Sequence, residues 1–105
     1  MKITAQYGAG RLTLRLAGEL DHHSAREGMA AIERLLDEYM PRDAALDLSA
    51  LTFMDSAGIA LILRTERRMR RCGGRACILN PASQPLRVLD AAGIERLIPV
   101  RGGTQ

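Results

Sequence analysis

The sequence is poor in aromatic residues, with no Trp, two Tyr and one Phe among 105 residues. A core without large rings must be filled by Leu, Ile, Ala, Met and Val, and platforms on which bases could stack are scarce. Cysteine is nearly as sparse. Cys72 and Cys77 flank Gly73 and Gly74 without a CxxC spacing or nearby histidines. Neither a zinc site nor a redox motif is indicated, and reduced structural thiols, as in a cytoplasmic protein, are expected. Long apolar runs are also missing. The longest, Ile59 to Leu63, falls far short of the roughly 20 residues of a membrane-spanning helix. No apolar run follows the early Lys2, so no signal peptide is expected. Nor does one sign of charge dominate. The net charge of +3 comes from 15 basic residues interleaved with 12 acidic ones, with no basic tail. That is a weak sign of an anionic partner.

What remains is an ordinary globular composition, 47% hydrophobic and 26% charged, which excludes disordered and collagen-like classes. The length allows one domain over residues 1–105 with one modest core. Leu12, Leu14 and Leu16 alternate with Thr13 and Arg15, which predicts a half-buried strand over Arg11 to Leu20. Ile3, Ala5 and Tyr7 suggest a preceding strand, and Gly8, Ala9 and Gly10 a hairpin turn between them. Ser24 and Glu27 have the spacing of a capping box ahead of Ala25, Met29, Ile32, Leu36 and Tyr39 at helical intervals, and Pro41 should end that helix. Ala44 to Leu51 reads as a buried strand with Leu46 and Leu48 on one face. A second helix is expected from Ala57 to Cys72, with Ile59, Ile62, Leu63 and Met69 on its buried side. A strand over Ala76 to Leu79, a helix over Pro85 to Ala92 stopped by Gly93, and a short edge strand over Leu97 to Val100 complete the pattern. The order predicts a single α/β domain, a mixed β-sheet of four to five strands with helices packed against it and right-handed crossovers between the parallel strands.

Two loops gather the residues that could carry chemistry. In Thr52 to Gly58, TFMDSAG, Ser56 stands between a strand and a helix, where backbone N–H groups and the positive end of the helix dipole could receive a phosphate. Taken alone, Asp55 or Ser56 is better explained as a helix N-cap worth about 1 kcal/mol. The other loop, GELDHHSA, supplies Asp21, His22, His23 and Ser24. A Ser, His and Asp set suggests a hydrolase, but a nucleophile elbow has the pattern G-x-S-x-G, and Met54 occupies its first glycine position. His22 and His23 are adjacent and are expected to point different ways, which argues against a shared metal site and for a protein contact. Arg64, Arg67, Arg68 and Arg71 recur at helical spacing as one basic face. Such a face is ordinarily solvated, and the scarcity of aromatics and the intervening Glu66 speak against nucleic acid.

Together, GELDHHSA and LTFMDSAGIALIL resemble the signature loops of the STAS-domain anti-sigma factor antagonists, in particular those of sporulation. The likeness continues through Gly73 and Gly74 and through Leu89, Asp90, Ala92, Gly93 and Ile94, so it spans nearly the whole chain. It implies a STAS fold and a non-enzymatic, cytoplasmic switch needing no cofactor or metal. In such a cycle the unphosphorylated antagonist binds an anti-sigma factor that is also a serine kinase, and the sigma factor is released for transcription. The kinase then phosphorylates the antagonist, and a metal-dependent serine phosphatase resets it. Carried onto this sequence, the phosphoacceptor is Ser56, and the partner-binding surface is Asp21, His22, His23 and Ser24 with Asp55, Ser56, Ala57 and Gly58. A general-stress switch is the alternative setting, since its components share these loops. Many relatives have a second serine after the acceptor, where this chain has Ala57. Its arginine-rich second helix also looks more basic than is usual for the family.

Overall fold

The computed structural model describes residues 1–102; the last three residues of the domain expected over 1–105 lie outside the described residues. Chain order gives β1 (Lys2–Gly8), β2 (Arg11–Leu20), α1 (Ala25–Tyr39), β3 (Asp43–Met54), α2 (Ser56–Arg71), β4 (Arg75–Leu79), α3 (Ser83–Ala92), a 3-10 turn (Ile94–Arg96) and β5 (Val100–Arg101). The five strands form one mixed sheet in sequence order, β1 antiparallel to β2 and every later pair parallel.

Binary patterning explains the layering. Leu12, Leu14, Leu16 and Leu20 of β2 are fully buried, whereas Arg15 and Glu19 between them are exposed, as a strand with one covered face requires. The apolar stripes of the helices, Met29, Ile32 and Leu36 of α1, Leu61, Ile62 and Met69 of α2, and Leu89 of α3, join that face in one core. At the hairpin the turn is tighter than expected. Gly8 pairs with Arg11, leaving Ala9 and Gly10 alone in the loop with φ of 53° and 81°, the pair of positive φ values that a type I′ hairpin demands.

Several expected boundaries move. Strand β3 runs to Met54 instead of stopping at Leu51, because two register shifts against β2, between Arg15 and Ala17 and between Gly18 and Glu19, each absorb an extra β3 residue. These bulges let Leu48, Leu51 and Met54 all reach the core although they lie three residues apart. Helix α2 begins at Ser56, not Ala57, and its buried face is Gly58, Leu61, Ile62, Thr65 and Met69; Ile59 and Leu63, expected inside, are only half-buried. The edge strand is restricted to Val100–Arg101, and Leu97 lies outside it and is exposed.

Candidate functional site

The carboxyl ends of β2 and β3 lie side by side, Leu20 opposite Met54, and each opens into one of the two loops. In the first loop Asp21 is the organising residue. Its Oδ1 accepts from the N–H of His23 and of Ser24, both at 3.0 Å, and its carbonyl accepts from Ala25 N–H at 2.9 Å. The Ser24 N–H above all holds the Asp21 carboxyl below its ordinary value; partial burial opposes this, and His23 N–H adds to it. The expected Ser24–Glu27 capping box does not form. Ser24 is already helical in backbone conformation, and its hydroxyl donates back to the Glu19 carbonyl at 3.0 Å. Asp21 has taken the free N–H groups one turn earlier, as an Asp side chain readily does with the second and third residues after it.

In the second loop Asp55 is the N-cap of α2, its Oδ1 accepting from Ala57 N–H at 2.8 Å and its carbonyl from Gly58 N–H at 3.0 Å. The capping role therefore belongs to Asp55, and Ser56 is left as the first helical residue with an exposed side chain. Its hydroxyl stands at the positive end of a 16-residue helix whose last turn carries Arg68, Arg70 and Arg71. Gly58 lets this end sit low on the strands. A Cβ there would come within 2.2 Å of Met54 Cγ and 3.2 Å of Leu20 Cδ2.

The loops are tied directly. Asp55 N–H donates to the Leu20 carbonyl at 3.2 Å, and Thr52 Oγ1 donates to the Gly18 carbonyl at 3.0 Å. His22 Nδ1 lies 4.0 Å from Asp55 Oδ2, an ion pair when the imidazole is protonated. His22 and His23 do not diverge as expected: their rings lie 3.9 Å apart between centroids, tilted by 39°. The tight turn that Asp21 caps brings them together. No group of three His, Cys, Asp or Glu residues among the described residues could hold a metal ion. The eight residues expected at the site thus fall together on the Asp21–Ser24 loop and on the Asp55 cap and first turn of α2, with His22, His23 and Ser56 exposed and Gly58 buried beneath.

Sequence reasoning missed the rest of the surface. Ser56 opens onto a depression of about 600 Å³ between α2 and α3, lined by Ile59, Gln84, Arg87, Val88 and Ala91. No sequence signal marks it: helical spacing places Ile59 inside, and only the fold leaves it half-exposed. Phe53, the single Phe, is 40% exposed beside the loop. The basic face is paired only in part, and Arg67 and Arg71 are exposed. Arg64 pairs with Glu33 at 3.3 Å and Arg68 with Asp37, both crossing to α1, and Arg70 pairs with Glu66 at 3.5 Å. No helix among the described residues is long and apolar enough to cross a membrane.

A five-stranded mixed sheet with three helices, and a capped, serine-bearing strand-to-helix junction beside an Asp-capped loop, define the class. The STAS domain family matches residues 1–104, and the chain belongs to that family. It is 30% identical over 102 residues to an anti-sigma F factor antagonist of Paenibacillus polymyxa, covering 95% of this chain and 86% of that protein. The fold is that of SpoIIAA, an anti-sigma factor antagonist. In its unphosphorylated form SpoIIAA superposes with a TM-score of 0.80 at 25% identity, over 99% of this chain and 89% of that one. The phosphorylated form of this Bacillus cell fate determinant superposes with a TM-score of 0.73 at 25% identity, over 99% and 92%. The chain is thus a STAS domain related to the anti-sigma factor antagonists.

Proposed function

We propose that this chain is an anti-sigma factor antagonist switched by phosphorylation of Ser56. Unphosphorylated, it binds an anti-sigma factor that is also a serine kinase, and the sigma factor is freed for transcription in the cytoplasm. Phosphorylation releases it, and a metal-dependent serine phosphatase restores the hydroxyl. The observation that carries this reading is the setting of Ser56: an exposed hydroxyl at a helix N-terminus, flanked by the Asp21–Ser24 loop and an apolar depression. The other three serines are less suited. The Ser24 hydroxyl already donates to Glu19, and neither Ser49, within β3, nor Ser83, at the start of α3, lies where the ends of β2 and β3 meet. Likeness to a protein solved in both phosphorylated and unphosphorylated forms supports the cycle. Likeness to an anti-sigma F factor antagonist supports the sporulation setting over general stress.

The chemistry is local. Phosphate adds roughly −1.5 to −2 charges next to Asp55 and within reach of the Asp21 loop. The helix end tolerates it, but a partner surface closed over a neutral hydroxyl meets a bulky dianion, and burying an unmatched charge is strongly unfavourable. ATP, magnesium and the catalytic base belong to the kinase, so this chain is the substrate. Phosphopeptide mapping after incubation with ATP and an anti-sigma factor kinase should find one phosphate, on Ser56. Titration calorimetry should then show affinity for that kinase lowered at least tenfold, about 1.4 kcal/mol. Ser56→Ala should bind like the unmodified chain, and Ser56→Asp should bind less weakly than the phosphoprotein, having one charge and less bulk. A phosphate on Ser24, Ser49 or Ser83, or unchanged affinity, would overturn the reading.

A further inference from the structure

The peptide just before the acceptor loop has a partner that no strand provides. Parallel pairing between β3 and β4 ends at Asp47 and Leu79, seven residues before the end of β3 at Met54. At Met54 the carboxamide of Gln84, from α3, fills the place of a neighbouring strand. Gln84 Oε1 accepts from Met54 N–H at 2.8 Å, and Gln84 Nε2 donates to the Met54 carbonyl at 2.9 Å. A primary amide carries the same donor and acceptor as a peptide group, so it completes a two-bond ladder rung; the backbone partners fix which end of the amide is which. One residue later Asp55 N–H is held from the other side by the Leu20 carbonyl at 3.2 Å. Ser56 follows at once. The junction that presents the acceptor is therefore held from both flanks, by β2 through a backbone bond and by α3 through one side chain.

We propose that Gln84 is a positioning residue for the Ser56 hydroxyl: its carboxamide fixes the end of β3, and with it the angle at which α2 presents Ser56 to the kinase. The proposal rests on Ser56 being the phosphoacceptor. Gln84 also lines the depression that opens at Ser56, so the side chain that sets the acceptor's backbone belongs to the same surface that a docked kinase would cover. Near-attack geometry requires the hydroxyl within a few tenths of an ångström of its place, so loss of the rung should slow phosphoryl transfer even where the chain still folds and docks.

The test compares wild type with Gln84→Leu, which keeps the bulk and removes both bonds, and Gln84→Glu. Amide hydrogen exchange by NMR should show Met54 N–H exchanging at least tenfold faster in Gln84→Leu, with Leu14 and Ile78 in the core unchanged. With an anti-sigma factor kinase that phosphorylates wild type at Ser56, kcat should fall tenfold or more while KM changes less than threefold. Gln84→Glu separates the two bonds: its carboxylate still accepts from Met54 N–H but repels the Met54 carbonyl, so protection is lost only in part, whereas the protonated acid can accept and donate like the amide. Met54 protection relative to wild type should therefore return as pH falls through the titration of the introduced carboxyl. Unchanged Met54 protection in Gln84→Leu, or lost protection with kcat within twofold of wild type, would overturn the positioning role. Failure of such kinases to modify wild-type Ser56 would instead overturn the functional reading, and the positioning claim with it, while the exchange data would still report whether the rung exists.

Discussion

At the scale of single residues, Asp21 and Asp55 hold the site by the same device, a carboxylate accepting backbone N–H groups at the start of a helix. Asp21 has a consequence in pH. Its carboxyl is held below the ordinary aspartate value, chiefly by Ser24 N–H. A depressed folded-state value means that its contribution to stability is fully present above the unfolded-state value of about 3.9, and is lost as pH falls through the lower folded-state value. Asp21→Ala should therefore be less stable than wild type in urea at pH 6 to 7, and the gap should close as pH falls below about 4. A gap that stays constant down to pH 2 would show that the loop does not depend on the ionised carboxylate. The same variant should bind an anti-sigma factor kinase weakly while leaving Ser56 chemically able to accept phosphate. Residue types on their own place Ser24 and Ser56 at helix starts, with Asp21 in the loop before the first. They do not show which of Asp21 and Ser24 does the capping, because both are good N-cap residues and only the backbone conformation of Ser24 decides it.

Among the elements, β3 and α2 show where periodicity is a sound guide and where it fails. The alternation of β2 and the stripe of α1 are regular, and both are legible in sequence because nothing interrupts their periods. Strand β3 is longer than its alternation suggests, because bulges place Leu48, Leu51 and Met54 on one face at a spacing that no regular strand allows. A bulge is a property of two strands together, so it is invisible in one. The groove beside Ser56 escaped notice for a related reason: Gln84, Arg87 and Val88 lie about thirty residues from Ser56 in sequence and reach it only through the docking of α3. Gly58 marks the close approach of α2 to β2 and β3. Alanine is favoured over glycine inside a helix by about 1 kcal/mol, yet at Gly58 a Cβ would lie within 2.2 Å of Met54 Cγ. Overpacking of a well-filled core costs about 1–3 kcal/mol. Met54 is a flexible side chain but is fully buried and has little room to yield. Gly58→Ala should thus be destabilised by up to about 2 kcal/mol in urea unfolding, and should also bind a partner less well because the first turn of α2 is lifted off the strands. A variant as stable as wild type would show that Met54 repacks freely.

For the whole molecule, the question is whether a phosphate at Ser56 changes the fold or only the surface. The core that joins sheet and helices lies beneath the junction, and its members Leu20, Met54 and Leu61 are buried while Ser56 is exposed. The helix end favours an anion by about 0.3–1 kcal/mol, and Asp55 next to it works against that gain by a similar order. Farther off, Arg64–Glu33 and Arg68–Asp37 fasten α2 to α1 along a stretch the phosphate does not touch. The opposing terms are small against the total stability of such a domain, roughly 5–15 kcal/mol. The phosphorylated chain should therefore unfold in urea within about 1 kcal/mol of the unmodified one, with Ala57 and Gly58 amides equally protected from exchange, although its affinity for the kinase has fallen at least tenfold. On the proposed reading the switch is electrostatic and steric at one exposed hydroxyl, with the scaffold unchanged beneath it. Faster exchange at Ala57 and Gly58 after phosphorylation would point the other way, to a first turn of α2 that melts, and the loss of affinity would then come from disorder instead of charge.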